Sequence, residues 1–420
     1  MKKRVGIFLP LCMVVAGLVA TPVSAAELAR ASAETVGMST DRLERIKPLM
    51  QRYVDEGKLA GIITLVARHG KIVHFEQVGK LNLDTGAALQ DDALFRIYSM
   101  SKPIVSVAAM MLYEEGKFQL DEPVEKYLPA FKGAKVLVDG VEVEANHPFT
   151  IRELMSHQAG LTYGVFSNTA VDQRYRAAKI LGNQDLAEMV EALGKIPLRY
   201  QPGTQWVYSV SADVLGRLVE VLADQPLDEY LQQKIFAPLQ MPDTFFEVPA
   251  DKLARFGTNH KQDPDTGGLI VVDRPATSRF AKDVTFFSGG GGLVSSAMDY
   301  LRFTQMLVNG GELDGVRILG RKTVELMTAN HLAEGVKSGF GERPGVAGTF
   351  GFGLGFGIAT SLPLSTLGSS GLYTWGGAAG TIFWNDPQED LTAVLMVQMM
   401  QNPYPLRAQF NNLVYQAITE

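Results

Sequence analysis

Hydrophobic and polar positions along the chain change period several times, and each change predicts an element. Residues Ile62 to Ala67 and Ile72 to Leu81 are runs of β-branched and apolar side chains separated by Arg68-His69-Gly70-Lys71, which predicts an antiparallel hairpin with glycine in its turn, so the fold is expected to begin with a sheet. From Ser101 to Glu115 the spacing becomes helical through Ile104, Val105, Val107, Ala108, Met111 and Leu112. No polar residue interrupts that face, so this helix is expected to be buried. Pro103 fits only its first turn and Gly116 is a natural stop, which places the helix start close to Ser99.

Further on, Val136 to Val143 predicts a small hairpin around Asp139-Gly140, and Thr150 caps a short helix running toward His157. Leu215, Leu218, Val219 and Leu222 mark a helix entered through Ser211, with others expected from Leu227 to Ile235 and from Ala297 to Leu307. Near the end, Leu372 to Trp375, Gly380 to Trp384 and Leu391 to Met399 read as strands, with Asn385-Asp386-Pro387-Gln388 as the turn between the last two and a closing helix from Pro405 to Ile418. Strands at both ends with helices between predict an α+β fold. Residues 26–95 and 251–420 would form a domain around an antiparallel sheet flanked by helices, and 96–250 an inserted, mainly helical region.

Composition adds compartment and excludes partners. With 46% apolar and 20% charged residues the chain can bury a large core. Residues 1–25 read as an export signal: Met1-Lys2-Lys3-Arg4, an apolar run from Val5 to Ala20, then Val23-Ser24-Ala25 at a cleavage site. The mature protein is then expected in the periplasm or secreted, with no stable membrane insertion, and it loses Cys12, the only cysteine. The net charge of −6 becomes −9 without Lys2, Lys3 and Arg4, and no basic run tracks phosphates, so nucleic acid is excluded as a partner.

Three places can carry chemistry. Ser99-Met100-Ser101-Lys102 puts a hydroxyl and an amine three residues apart at the start of a buried helix, on one face and within reach of each other. Lys102 is thus a candidate base for a Ser99 nucleophile, against the ordinary alternative of a capping serine beside a solvated lysine. Tyr208 lies on a loop just before a helix, where its phenol can relay a proton, or simply pack under the loop. Trp375-Gly376-Gly377-Ala378 ends a strand in small residues that admit a substrate close to the backbone, so the N–H groups of Ser99 and Ala378 can pair as an oxyanion hole; a sheet bulge is the alternative. Tyr98, Tyr163, Trp206 and Trp375 are aromatic candidates for a substrate pocket.

Together these segments resemble the penicillin-recognising serine hydrolases, which comprise class C β-lactamases, DD-peptidases and family VIII carboxylesterases. Leu120 to Pro129, Leu154 to Leu161 and Gly289 to Leu293 also look like family segments, so the resemblance spans most of residues 35 to 415. It implies a β-lactamase-like, DD-peptidase-like fold, no cofactor and a small-molecule ester or β-lactam-like substrate. Two departures favour the carboxylesterase branch. Val210 stands where the lactamases and peptidases carry an asparagine, and Trp375 where they carry a lysine that binds a substrate carboxylate. The expected activity is cleavage of short-chain esters through a Ser99 acyl-enzyme, with β-lactam hydrolysis, D-amino-peptide cleavage, acyl transfer or non-catalytic penicillin binding as the alternatives.

Other motifs carry less. No Gly-x-Ser-x-Gly elbow is present, and the six histidines show no metal-ligand spacing, so no metal is expected. His157 reads as part of a structural loop. Gly289-Gly290-Gly291-Gly292 lacks the Lys-Ser/Thr of a phosphate loop and reads as a tight turn beside the cleft, while Gly351 to Gly357 alternates small and large residues as a closely packed strand would.

Overall fold

The computed structural model describes residues 28–182, 184–339, 350–361 and 367–420. The export signal expected over residues 1–25 lies outside them. An amphipathic helix, α1 (Ile46–Asp55), buries Ile46, Met50 and Tyr53 and precedes β1 (Gly61–Arg68) and β2 (Lys71–Gly79). The fold therefore opens on a helix rather than a sheet; its fully buried stripe is only Ile46, Met50 and Tyr53, with Leu49 and Val54 half-buried beside it and Pro48 in the first turn blurring the helical period. The β1–β2 turn places His69 at φ 51° and Gly70 at φ 71°, a two-residue connection whose left-handed residues match the strand twist.

Helix α2 (Ser101–Glu114) follows and is buried along nearly its whole length, packed against α3 (Ser211–Ala223). Then come α4 (Ala297–Val308), β3 (Phe350–Phe352), β4 (Gly357–Ala359), β5 (Tyr373–Gly376), β6 (Ile382–Asp386), β7 (Leu391–Val397) and α5 (Leu406–Tyr415). The run Gly351 to Gly357 is a hairpin and not one strand. Gly355, at φ 94°, turns the chain there, and the Gly353 N–H closes the turn on the Phe356 carbonyl.

Seven strands form one sheet in the order β3-β4-β5-β6-β7-β1-β2, every neighbouring pair antiparallel, with Ile62 opposite Val397 where the two chain ends meet. Its strands come from residues 61–79 and 350–397, so the helices between them hang from the sheet. Alternation along β1 sorts the core: Ile62 and Val66 face α1 and α5, whereas Ile63, Leu65 and Ala67 face the side that holds α2, α3 and α4. Helix α4 packs on β6 and β7, and α2 carries the larger core out toward α3. The architecture is α+β with helices on both faces of an antiparallel sheet. No helix among the described residues is long and apolar enough to cross a membrane.

Candidate active site

Ser99 is set by what flanks it. The strand Leu94–Arg96 pairs with Val294–Ser296, the Ile97 N–H donates to the Leu293 carbonyl at 3.1 Å, and one tight turn, Tyr98–Met100, leads into α2. Tyr98 bends the chain at φ 44°, a left-handed value that a bulky residue holds only when its surroundings fix it. Its ring stands edge-on to Phe280, and its hydroxyl accepts from Asn259 Nδ2 at 3.0 Å. Lys102 sits one turn beyond Ser99 on α2, only 1% exposed.

Tyr208 arrives on a loop pinned at two points: the Val207 N–H donates to the His157 carbonyl at 2.9 Å and the Val210 N–H to the Thr162 carbonyl at 3.3 Å. Its hydroxyl donates to Ser99 Oγ at 2.7 Å. Lys102 Nζ directs its three hydrogens at three oxygens: Gly290 carbonyl at 2.6 Å, Tyr163 hydroxyl at 2.8 Å and Ser99 Oγ at 3.3 Å. The same Nζ lies 4.7 Å from the centre of the Tyr208 ring and 5.3 Å from that of Tyr163. Of the two groups in reach of Ser99, the Tyr208 oxygen is the nearer.

A cleft of about 350 Å³ opens over Ser99 and is lined by Tyr98, Tyr163, Tyr208, Gly290 and Ala378 together with Val165, Phe166, Phe246, Phe280 and Phe286. Its walls are largely apolar. Ala378 is exposed at its edge, and among the described residues no main-chain carbonyl takes its N–H. A larger cavity of about 520 Å³ lies between α1 and β2; its polar side chains include the paired Lys47 and Glu76, and His74, which is held to the buried Thr64 hydroxyl at 2.8 Å.

Of the pocket residues expected from sequence, Tyr98 and Tyr163 line the cleft, whereas Trp206, Trp375, Gly376 and Gly377 stand behind it. Trp375, 5% exposed, packs on Tyr208 and Phe352, and Trp206 stacks on Tyr208 at 14° and 6.1 Å. The glycines answer to protein neighbours and not to a substrate: a Cβ on Gly377 would strike Thr381 Oγ1 and the Ile97 carbonyl, and one on Gly376 the Arg407 guanidinium. His157 touches the Tyr208 ring at 5.0 Å and bonds Ser209 Oγ at 3.1 Å. Burial, reinforced by the Lys102 charge, pushes its imidazole well below the ordinary value, so it is neutral.

Sequence reasoning placed Tyr163 in the pocket but missed it as a partner of Lys102, and it missed the Gly290 carbonyl. Burial, with Tyr208 and Asp213 nearby, raises the Tyr163 phenol well above its usual value and keeps it protonated. The four-glycine run signalled this loop. A Cβ at Gly289 would strike the Ala212 carbonyl and one at Gly290 the Asp213 carboxylate, so only glycine lets the loop approach α3 and deliver a carbonyl to Lys102.

Comparison with known proteins gives this geometry a context. The family model described as Beta-lactamase matches residues 46–416. Esterase EstB of Burkholderia gladioli is 31% identical over 373 residues, which cover 84% of this chain and 89% of that protein. A Mycobacterium tuberculosis protein, Rv1367c, is 34% identical over 365 residues, covering 83% and 88%. Among solved structures, EstCE1, described as a hydrolase with promiscuous acyltransferase activity, matches with a TM-score of 0.77 at 26% identity over 90% of this chain and 99% of its own.

Proposed function

This chain belongs to the beta-lactamase family, and from that premise we propose that it is an exported serine hydrolase cleaving short-chain carboxylic esters through an acyl-enzyme on Ser99. Its esterase and acyltransferase relatives support serine hydrolase chemistry in general. The observation that carries the finer reading is the 2.7 Å contact between the Tyr208 and Ser99 hydroxyls beneath an apolar cleft.

In this reading the Lys102–Tyr208 pair first releases a proton, leaving Tyr208 as a phenolate whose charge Lys102 balances; Ser99 Oγ then attacks the ester carbonyl while its proton passes to that phenolate oxygen. The Ser99 and Ala378 N–H groups hold the oxyanion. Collapse of the tetrahedral adduct breaks the bond to the alkoxide, which takes the proton back from Tyr208 and leaves. Water then attacks the acyl-enzyme by the same relay, releasing the acid and restoring Ser99. Val165, Phe166, Phe246, Phe280 and Phe286 make much of the cleft wall, with Arg279 and Asp283 among the polar residues on it, and that mainly apolar lining favours an uncharged ester over a β-lactam or a peptide.

A second reading, acyl transfer to an alcohol in place of water, draws on the activity described for EstCE1. Rates on p-nitrophenyl butyrate with and without added alcohol, on a cephalosporin and on a D-Ala-D-Ala peptide test both. Ester turnover well above the other two is the expected result; preference for the cephalosporin or the peptide would overturn the ester reading, and alcohol ester as the main product would move it to transfer.

A further inference from the structure

Asp213 is fully buried on α3, five residues beyond Tyr208, and a carboxylate so placed is costly unless something uses its charge. Its Oδ1 accepts from the Ser288 hydroxyl and, at 2.9 Å, from the Gly290 N–H. The carbonyl of that same Gly290 takes a hydrogen from Lys102 Nζ at 2.6 Å. Among the described residues Oδ2 has no hydrogen-bond partner, and it faces Gly290 so closely that a Cβ there would strike it; the same Cβ would stand 2.9 Å from the Tyr163 hydroxyl. One residue, Gly290, thus separates a buried anion from the buried cation of the site, gripped at its N–H by the first and at its carbonyl by the second.

We propose that Asp213 is a positioning residue for the reaction: it is the counter-charge of Lys102, holds the Gly290 carbonyl on the Lys102 ammonium, and keeps the proton relay on Tyr208 by disfavouring negative charge on Tyr163. This rests on the reading of Ser99, Lys102 and Tyr208 given above. The charged and titratable groups that face Asp213 are Lys102 from α2 and Tyr163 from the loop after residue 157, while Tyr208 stands close to Lys102 and the neutral His157 against the Tyr208 ring. Burial raises the Asp213 carboxyl, and Lys102 opposes that rise, as a counter-charge should. Two tyrosines stand near Lys102, yet Asp213 acts on Tyr163 in the direction that keeps it protonated. A fixed anion beside Tyr163 holds the proton there and leaves the relay to Tyr208.

The test uses the full mature chain and Asp213→Asn, which keeps the shape and removes the charge, with pH profiles of kcat and kcat/KM on p-nitrophenyl butyrate and thermal unfolding of each protein. The expected result is a loss in kcat of about 10²-fold with KM within about threefold, and a limb of the profile displaced to lower pH by about one unit or more. Removing an anion makes the coupled Lys102–Tyr208 pair release its proton more readily. A profile superimposable on the wild type, or a loss confined to KM, would overturn the proposal. Should D213N fail to fold, Ser288→Ala keeps the carboxylate but frees one of its two bonds, and a severalfold fall in kcat at unchanged KM is expected; unchanged kcat would overturn the proposal. Wild-type turnover and Ser99 labelling are measured first, so that an inactive wild type speaks against the serine-hydrolase reading and an active one with an indifferent D213N speaks only against Asp213.

Discussion

Tyr208→Phe removes one oxygen and leaves the ring. That oxygen lies 2.7 Å from Ser99 Oγ, while the next group in reach, Lys102 Nζ, lies at 3.3 Å with two other acceptors to serve. The phenyl ring would keep its contacts with Trp206, Trp375, Tyr163 and His157, so the pocket should survive. A positioned proton acceptor contributes roughly 10²–10⁴ in rate. The Lys102 ammonium carries no lone pair to take the proton in its place, so a fall in kcat of about 10³ is expected, about 4 kcal/mol of transition-state stabilisation. The lost hydrogen bond should cost folding stability no more than about 1 kcal/mol. Steady-state kinetics on p-nitrophenyl butyrate alongside urea unfolding measure both. A fall in kcat below about tenfold, or a loss appearing only in KM, would show that Tyr208 does not carry the proton.

Other consequences follow from groups outside the relay. Buried His74 accepts or shares a hydrogen with Thr64 Oγ1 at 2.8 Å and is lowered to about 4 by burial. Its contribution to stability is complete above the unfolded value near 6.5 and is lost as pH falls through 4, so His74→Gln should flatten the acid side of the stability–pH curve by up to about 3 kcal/mol; an unchanged curve would sink this. Gly355→Ala sets a side chain at φ 94° against Ser106 Oγ on α2 and should lower the urea midpoint by the equivalent of about 1–3 kcal/mol, whereas a neutral result would mean that the turn relaxes freely. Trp375→Ala empties a buried site behind Tyr208, with an expected cost of about 3–5 kcal/mol and a reduced kcat; full activity at wild-type stability would show that the ring is not a support.

What the sequence conveyed and what it concealed divide by range. The pairing of Ser99 with Lys102 follows from three-residue spacing at a helix start, and the terminal strands from alternation and turn residues, all local signals. Contacts across the fold had no such signature. Tyr163 meets Lys102 across 61 positions and Asp213 meets Gly290 across 77, so neither partnership shows in a period or a motif. Gly376 and Gly377 looked like room for a substrate because a missing side chain reads alike whether a ligand or the protein's own backbone fills the space; here Arg407 and Ile97 do. The four glycines from 289 were legible as a loop beside the cleft, but not the carbonyl it delivers. Helix α1 escaped notice because only Ile46, Met50 and Tyr53 are fully buried and Pro48 interrupts the helical period in its first turn.

The most direct measurement is intact-mass analysis of the purified protein after exposure to an active-serine phosphonate, followed by peptide mapping. One phosphonyl group per chain, carried by the peptide containing Ser99 and absent from Ser99→Ala, is the predicted result. Ester turnover that persists in Ser99→Ala, or a label mapping to any other residue, would contradict the account at its centre.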